Sequence, residues 1–329
     1  MGVGDAVADS APVISGLGVS VPCAVSQQRL WDEFFAAHYG GAERDLARRI
    51  FAGAGVSTRH AAVNPLLEDV SEWPTGRRME RYLAEAMPLG AAAVSAALDD
   101  AGVAPRELGL FTVCSCTGYV TPGLDILLAR DLGLSPDCQR LFVGHMGCYA
   151  ALPGLAAARD FVRTHGRPAA LLCVELPSLH LQPGAVDPGQ VVAHALFSDA
   201  AAAAVVTPGG DGYEVCGVAS LTDPDSAECM TWDVTDTGFR MGLSPRVPEV
   251  LGAHVGRFLT RLLAGHGLTA ADVSGWAVHP GGPQILDVVA RELGLPEAAL
   301  EPARAVLAGY GNCSSPTVLI VLDRLRRGS

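Results

Sequence analysis

Three residues of this chain, Cys148, His279 and Asn312, are of types that together could catalyse acyl transfer, and each lies beside glycine residues. Cys148 follows the turn-like VGHMG and precedes YAALPGLAAARDFV, which has the periodicity of a helix. Backbone N–H groups and the dipole at a helix N-terminus stabilise a thiolate, so this position predicts a lowered pKa for the Cys148 thiol. A free cysteine is more often a buried structural residue, so Cys148 alone does not identify a nucleophile.

His279 stands in WAVHPGGP, where a predicted strand ends, and ligands of α/β proteins bind at the carboxyl ends of strands. Asn312 stands in GYGNCSSP before an apolar helical pattern, where its side chain could cap the helix or donate to a bound carbonyl. Each of these residues alone is equally consistent with a structural role. Thiolate attack on an acyl group needs a nucleophile, a base or cationic partner and an oxyanion donor, and the three residues supply that set.

The elements that would position these residues alternate along the chain. Apolar residues at helical spacing predict helices over 80–101, 149–165, 247–266, 284–293 and 315–327. Short apolar runs predict strands over 12–19, 109–114, 140–144, 169–174, 201–206, 275–278 and 304–308. Helices alternating with fully apolar strands predict α/β layers in which each sheet is covered on both faces.

Two pairs of similar segments occur in the same order and indicate a duplication. AGVAPRELGLFTVCSCTG (101–118) resembles HGLTAADVSGWAVHPGG (266–282), and residues 129–148 resemble residues 290–313. Chance similarity in a chain rich in Ala, Leu and Gly is the alternative explanation. The predicted architecture is an α/β/α/β/α sandwich of two halves, 1–207 with the cysteine and 208–329 with the histidine and asparagine. If the halves pack about a pseudo-twofold axis, the three glycine turns converge on one cavity.

Composition excludes several classes of protein. The 329 residues include 23 arginines but no lysine, which excludes Schiff-base aldolases, lysine-linked pyridoxal phosphate enzymes and the Walker A loop. A formal net charge of −12 argues against nucleic-acid and anionic-membrane surfaces. Nine cysteines without CxxC spacing indicate thiols in a reducing cytosol, with neither a disulfide framework nor a zinc site. Without a visible signal peptide or an 18-residue apolar run, the sequence predicts a cytoplasmic protein with no membrane partner.

Five segments together resemble the successive motifs of type III polyketide synthases, the chalcone-synthase-like enzymes of the thiolase fold. They are GHMGCYAALPGLAAARDF, SLHLQ, ALFSDAAAAAVV, HPGGPQILD and YGNCSSPTVLIVLD, and the resemblance runs from about residue 12 to residue 327. HPGGP and GN-x-SS are specific to this branch. A priming ketoacyl-ACP synthase shares the Cys-His-Asn set but would be expected to show an HQAN-like motif at the histidine.

The resemblance implies a role for each of the three residues. Cys148 would take the starter acyl group and carry the growing chain, and His279 would hold Cys148 as a thiolate. His279 and Asn312 would bind the malonyl thioester carbonyl, so that decarboxylation gives the carbanion that attacks the Cys148 thioester. The family uses acyl-CoA and malonyl-CoA, forms homodimers and needs no metal or redox cofactor. The expected product is a cyclised pyrone, resorcinol or phloroglucinol.

The resemblance also implies residues that line the substrate cavity. Phe197 matches an aromatic gatekeeper between the access tunnel and the cavity, whereas the second gatekeeper maps to either Phe239 or Met241. The positions that set chain length and cyclisation in the family are matched by four residues: Cys116, Thr117, His180 and Ser314. His180 and Pro177 stand where plant enzymes carry threonines, so plant-type flavonoid chemistry is not implied.

The segment that binds coenzyme A phosphates in plant members is only partly matched. Arg49 aligns with one basic residue, while Leu46 and Gly53 replace two others. Either three further arginines replace the missing contacts to coenzyme A, or an acyl carrier protein delivers the starter. These arginines are Arg44, Arg48 and Arg59. Two other functions stay open from the sequence. One is a priming ketoacyl synthase or acyltransferase that makes a single condensation or transfer, and the other is a catalytically silent binding protein of the same fold.

Overall fold

A six-stranded sheet is the main sheet of the computed structural model, which describes residues 10–183 and 187–328, and all but one of its strands come from the first half of the chain. The strands are β1 (Pro12–Ser20), β2 (Ala24–Ser26), β3 (Thr58–His60), β4 (Leu110–Cys114), β5 (Gln139–Val143), β6 (Ala169–Glu175), β7 (Ala200–Pro208), β8 (Tyr213–Glu214), β9 (Met230–Thr235) and β10 (Gly238–Leu243). The sheet has the order β5-β4-β6-β7-β1-β8, with β4 parallel to β5 and β6 and the other pairs antiparallel. β2 pairs with β3 and β9 pairs with β10 outside this sheet.

Helices cover both faces of the sheet. They are α1 (Gln27–Glu33), α2 (Gly41–Gly53), α3 (Thr75–Ala101), α4 (Leu124–Asp131), α5 (Ala151–His165), α6 (Pro188–Leu196), α7 (Val247–Ala264), α8 (Pro283–Leu293), α9 (Glu301–Tyr310) and α10 (Pro316–Arg327). The side chains of β6, which is fully buried, point alternately to the two faces of the sheet. Ala169 and the apolar residues at every second position after it belong to the apolar cluster that includes α5, and Ala170 and every second residue after it belong to the cluster that includes α3. This two-sided burial explains the continuous apolar run in the sequence.

Helix α3 lies unusually close to β1. An added Cβ at Gly16 would lie 2.1 Å from the Ala97 carbonyl oxygen, and one at Gly18 would lie 2.2 Å from that of Ala93. Glycine at both positions therefore permits this close packing of helix backbone on strand backbone.

The two halves of the chain share one layer of helices. Helix α5, which follows Cys148, and helix α10, which follows Asn312, pack side by side on the same face of the sheet. The predicted division at residues 207–208 falls at the end of β7. None of the helices within residues 10–183 and 187–328 has the length and apolar character needed to cross a bilayer.

All five predicted helices and five of the seven predicted strands are confirmed, but two strand predictions are wrong. Residues 304–308 lie inside α9, which has Pro302 in its first turn and ends at Tyr310, with Gly311 as the C-cap. A five-residue apolar run fits a buried helix as well as a strand, and the alanines of this run favour the helix. Residues 275–278 pair with no strand among the described residues.

Candidate active site

Cys148, His279 and Asn312 line one cavity of about 1390 Å³, so the structure brings together the three residues that the sequence singled out. The cavity also reaches α2, α6 and the β9–β10 pair. Its lining is mostly apolar, with a small number of polar side chains near Cys148, which is typical of sites that bind small molecules.

Cys148 lies in a short 3-10 turn, Gly147–Ala150, between β5 and the start of α5. Burial raises the pKa of its thiol to about 11; a hydrogen bond with Ser314 favours the thiolate, and the charge of Glu175 opposes it. The lowered pKa expected at a helix N-terminus is therefore wrong for this structure. Cys148 precedes the first residue of α5 by three positions, and burial, which disfavours the thiolate, is the largest cause of the raised pKa.

His279 has two buried ring nitrogens, and neither has a hydrogen-bond partner within residues 10–183 and 187–328. Desolvation lowers the pKa of this histidine to about 4, so its ring is neutral at physiological pH. A neutral imidazole has one donor and one acceptor, and buried polar groups of folded proteins are almost always paired. The cavity therefore holds an imidazole whose hydrogen-bonding capacity is unused.

Asn312 is fixed through its backbone and its side chain. Its backbone N–H donates to the Leu196 carbonyl at 2.9 Å, and its carbonyl accepts from Ser198 N–H at 3.0 Å. Its amide Nδ2 donates to the Gly281 carbonyl at 3.2 Å, which connects it to the turn that follows His279. The amide oxygen accepts from Ser314 N–H at 2.9 Å, and because an amide nitrogen carries two N–H bonds, one of them stays available to a ligand.

Both halves of the chain match the sequence profiles of one family. The N-terminal domain of chalcone and stilbene synthases matches residues 7–211, and the C-terminal domain matches residues 217–329. The chain belongs to the chalcone and stilbene synthase family. It is a type III polyketide synthase, an acyltransferase, as its sequence motifs predicted.

Bacterial relatives in this family include several polyketide synthases with named products. A 1,3,6,8-tetrahydroxynaphthalene synthase of Streptomyces peucetius subsp. caesius is 38% identical over 291 residues, which cover 86% of this chain and 76% of that protein. A 3,5-dihydroxyphenylacetyl-CoA synthase of Streptomyces toyocaensis is 33% identical over 95% of this chain and 82% of that protein. The alpha-pyrone synthesis polyketide synthase-like Pks18 of Mycobacterium tuberculosis is 31% identical over 95% of this chain and 83% of that protein.

Solved structures of the family confirm the predicted thiolase-like fold. The type III domain of Steely1 from Dictyostelium superimposes with a TM-score of 0.91 at 26% identity, over 97% of this chain and 93% of that one. PKS-I of the brown alga Ectocarpus siliculosus superimposes with a TM-score of 0.87 at 29% identity, over 97% of this chain and 89% of that one.

The pocket residues that the family resemblance indicated all line the cavity except one. Cavity-lining residues include Cys116, Thr117, His180, Ser314 and Phe197. Both Phe239 and Met241 line it as well, so the position of the second gatekeeper stays a prediction. Arg49 is exposed on α2 and does not line the cavity, although its neighbour Ile50 does.

Arg59 is buried and supports the segments around it, a role that the sequence did not predict. It is 4% exposed, and its guanidinium donates to the carbonyls of His194 at 2.5 Å and Phe197 at 3.1 Å. The side chain also packs over the rings of Phe35 and Phe51. Both hydrogen bonds come from Nη1, whereas Nε has no partner among the described residues, and Arg59 lines the cavity. Compensation by Arg59 for the missing coenzyme A contacts therefore stays a prediction.

Sequence reasoning missed Glu175, a fully buried carboxylate at the end of β6. It accepts hydrogen bonds from the backbone N–H groups of Cys116 and Thr117, both at 3.1 Å, and from the hydroxyls of Thr117 at 2.6 Å and Ser315 at 3.1 Å. Burial raises its pKa to about 7. The available signal was a charged residue inside the otherwise apolar run ALLCVEL, since a buried carboxylate needs several donors.

Proposed function

We propose that this type III polyketide synthase acylates Cys148 by general-base catalysis from His279. Burial raises the Cys148 pKa and lowers the His279 pKa, so a neutral thiol and a neutral imidazole are the resting forms. As Sγ attacks the thioester carbonyl of the starter, the S–H proton moves to a His279 ring nitrogen. Collapse of the tetrahedral intermediate expels the coenzyme A thiolate, which takes the proton from His279 and leaves the imidazole neutral again.

The extension step uses His279 and Asn312 as donors to a second thioester. We propose that the N–H of the neutral His279 imidazole and the free Asn312 N–H bind the carbonyl oxygen of malonyl-CoA. The C–C bond to the malonyl carboxylate then breaks, carbon dioxide leaves, and its electron pair forms an enolate whose oxygen these donors stabilise. The enolate carbon attacks the Cys148 thioester, and the Cys148 thiolate leaves. No metal or redox cofactor enters these steps.

The observation that carries this proposal is that the His279 ring nitrogens, in the same cavity as Cys148 and Asn312, have no hydrogen-bond partner in the described part of the chain. Intact-protein mass spectrometry after incubation with a panel of acyl-CoAs tests it. Wild type is expected to gain one acyl group, and Cys148→Ala is expected to gain none while keeping its circular dichroism spectrum. Equal adducts on both proteins would show that another nucleophile takes the starter.

The substrates and product are proposed from the family and the cavity. We infer an acyl-CoA starter, malonyl-CoA extenders and a cyclised pyrone, resorcinol or phloroglucinol, and Phe197, Cys116, Thr117 and Ser314 would contact the chain. Arg49, with Arg44 and Arg48, is exposed on α2 beside the cavity and would meet coenzyme A phosphates. An acyl carrier protein is the other source of starter, and comparing acyl-CoA with the same acyl group on a carrier protein distinguishes the two.

We also propose a homodimer that forms through β5. This strand is an edge of the central sheet, and within residues 10–183 and 187–328 it pairs with β4 alone. Apolar side chains on and after it are exposed, among them Leu141 at 39% and Phe142 at 41%, and an exposed apolar edge strand favours pairing with another chain. Light scattering should give about twice the chain mass of 34.0 kDa for wild type and the monomer mass for Phe142→Arg.

We also propose where the two halves of the chain meet and where in the cell the protein is located. Residues 1–207 and 208–329 would form the two thiolase-like halves, which is supported by family matches that end at residue 211 and resume at 217. All nine cysteines are free thiols, which supports a cytoplasmic location.

A further inference from the structure

The backbone of Asn312 is fixed to the segment at the end of α6, residues 196–198. Its N–H donates to the Leu196 carbonyl at 2.9 Å, and its carbonyl accepts from the Ser198 N–H at 3.0 Å. Phe197, between these two residues, forms a parallel β-bridge with Asn312. A displacement of this segment would therefore displace Asn312, which lines the cavity.

Gly311 allows the two segments to lie very close together. It has φ +73°, and an added Cβ there would lie 2.9 Å from Cβ of Ser198 and 3.0 Å from the Leu196 carbonyl oxygen. A side chain at position 311 would collide with both groups, so glycine permits this approach. The position of Asn312 therefore depends closely on the position of Ser198.

The Ser198 side chain connects this segment to β3 (Thr58–His60). Its hydroxyl accepts from the His60 backbone N–H at 2.7 Å and donates to the His60 carbonyl at 3.0 Å. The Asp199 N–H donates to the same carbonyl at 2.9 Å. Because a hydroxyl can donate and accept at once, one side chain pairs with both backbone groups of His60. Ser198 thus joins the segment beside Asn312 to β3.

β3 also contacts the chain just before Asn312. The His60 ring lies against the Tyr310 ring, with centroids 5.3 Å apart. The backbone N–H of Ser57, the residue before β3, donates to the Ala308 carbonyl at 2.9 Å. Tyr310 and Ala308 belong to the last turn of α9, two and four residues before Asn312. β3 therefore supports Asn312 from α9 on one side and through Ser198 on the other.

Ser198 itself is separated from the substrate. It is 2% exposed and does not line the cavity, whereas its neighbour Phe197 and Asn312 do. Its hydroxyl is engaged with the His60 backbone. A change at Ser198 is therefore expected to act on the reaction through the residues that it positions, and Asn312 is the one among them that supplies a donor to the cavity.

We propose that Ser198 and His60 are positioning residues that hold the Asn312 amide in place for the extension step and contribute little to the loading of Cys148. This inference rests on the proposed function, in which Asn312 donates to malonyl-CoA and takes no part in the acylation of Cys148. A donor to an oxyanion acts through accurate placement, so an amide that shifts stabilises the enolate less. Loss of the Ser198 hydroxyl should therefore slow malonyl-CoA decarboxylation while acylation continues.

Two substitutions remove the contacts one at a time. Ser198→Ala removes the hydroxyl and keeps the backbone N–H that donates to Asn312. His60→Ala removes the ring that contacts α9 and keeps the backbone groups that bind Ser198. Thr207→Val is the matched control, because it also removes a hydroxyl with a backbone partner but lies near the far end of β7, away from the cavity.

The experiment measures two rates for each variant, with and without Asn312→Ala: Cys148 acylation by intact mass, and conversion of malonyl-CoA to acetyl-CoA by liquid chromatography. We expect Ser198→Ala to lower decarboxylation about tenfold and acylation about twofold at most, and Thr207→Val to match wild type. Once Asn312→Ala has removed the amide, adding Ser198→Ala should lower decarboxylation about twofold at most, because the two substitutions remove the same contribution.

Two results would overturn the inference. One is a decarboxylation rate of folded Ser198→Ala that equals the wild-type rate. The other is an equal loss of both rates, or a full tenfold loss on top of Asn312→Ala, since either would indicate a general structural role. If wild type forms no Cys148 adduct, or if Asn312→Ala decarboxylates malonyl-CoA as fast as wild type, the proposed function fails instead. If Ser198→Ala does not fold, the same comparison with His60→Ala decides between these results.

Discussion

His180 and His279 line the same cavity, and burial lowers the pKa of each to about 4, yet their surroundings are opposite. Both nitrogens of His180 are bonded to backbone groups, whereas neither nitrogen of His279 has a partner among the described residues. A perturbed pKa alone would rank the two histidines equally as functional candidates. The hydrogen-bond inventory separates them, since an unpaired buried imidazole is costly and calls for a ligand.

The comparison extends to the segments that carry the two residues. His180 lies in a 3-10 turn that follows β6 and is tied to a hairpin, so its ring supports the shape of the cavity. His279 lies in an extended segment, and its position is linked to Asn312 through Gly281. Substituting His180 should therefore change which product forms, whereas substituting His279 should change whether any product forms.

The largest expected effect comes from His279→Ala. Loss of one donor to the developing enolate should lower malonyl-CoA decarboxylation about 100- to 1000-fold, the range seen for oxyanion-hole donors. Conversion of malonyl-CoA to acetyl-CoA, followed by liquid chromatography, measures this. His180→Gln is the comparison variant, and its decarboxylation rate should fall far less. A His279→Ala rate within tenfold of wild type would remove the distinction between the two histidines.

The second prediction concerns the charge on Cys148. With a pKa of about 11, the thiol is protonated at neutral pH, and its thiolate fraction grows about tenfold per pH unit. Alkylation of Cys148 by iodoacetamide should therefore rise about 100-fold from pH 7 to pH 9. Peptide mass spectrometry follows Cys148 separately from the other cysteines, and Cys148→Ala is the control. A rate that is flat above pH 7 would instead indicate a thiolate–imidazolium pair.

Much of the fold and of the site follows from local sequence. Fully apolar strands such as β6 and long amphipathic helices such as α3 leave clear patterns, and Cys148, His279 and Asn312 stand in motifs whose turns the structure places at one cavity. The prediction of a strand over 304–308 is wrong because a run of five apolar residues does not distinguish a strand from a helix.

What the sequence could not show depends on distant partners. The pKa of Cys148 is set by burial, which comes from segments far along the chain. The contacts of His180 join residues 63 and 59 positions apart, and those of Arg59 reach 135 and 138 positions along the chain. Residue type alone gives no indication that one histidine binds two backbone groups while another has no hydrogen-bond partner among the described residues.

The third prediction tests Arg59 as a support for the segment next to Asn312. Phe197, whose carbonyl Arg59 binds, forms a bridge with Asn312. Arg59→Met leaves two buried carbonyls without donors and should lower the free energy of unfolding by about 2 kcal/mol, measured by urea unfolding. Decarboxylation should fall about tenfold from misplacement of the Asn312 amide. Arg59→Lys, which keeps a donor and the charge, should lose less on both measures; equal losses would contradict the role of the hydrogen bonds.

The smallest effect is expected from Glu175→Gln, which changes the charge near Cys148 with little change of shape. The Glu175 charge raises the pKa of Cys148, and burial raises the pKa of Glu175 itself to about 7, so the carboxyl is ionised above that pH. Gln keeps an oxygen that can accept from the Cys116 and Thr117 backbone N–H groups.

Removing this negative charge should lower the pKa of Cys148, and alkylation at pH 8.5 should become about threefold faster. At pH 6, where Glu175 is mostly protonated in wild type, the two proteins should react at more nearly equal rates. A ratio that does not change between the two pH values would show that Glu175 influences Cys148 through structure and not through charge. His180 contacts the same turn from the other side and carries no charge at these pH values. The alkylation rate of His180→Gln should therefore stay close to that of wild type at both pH 6 and pH 8.5. This result would separate support of the cavity from the electrostatics of its nucleophile.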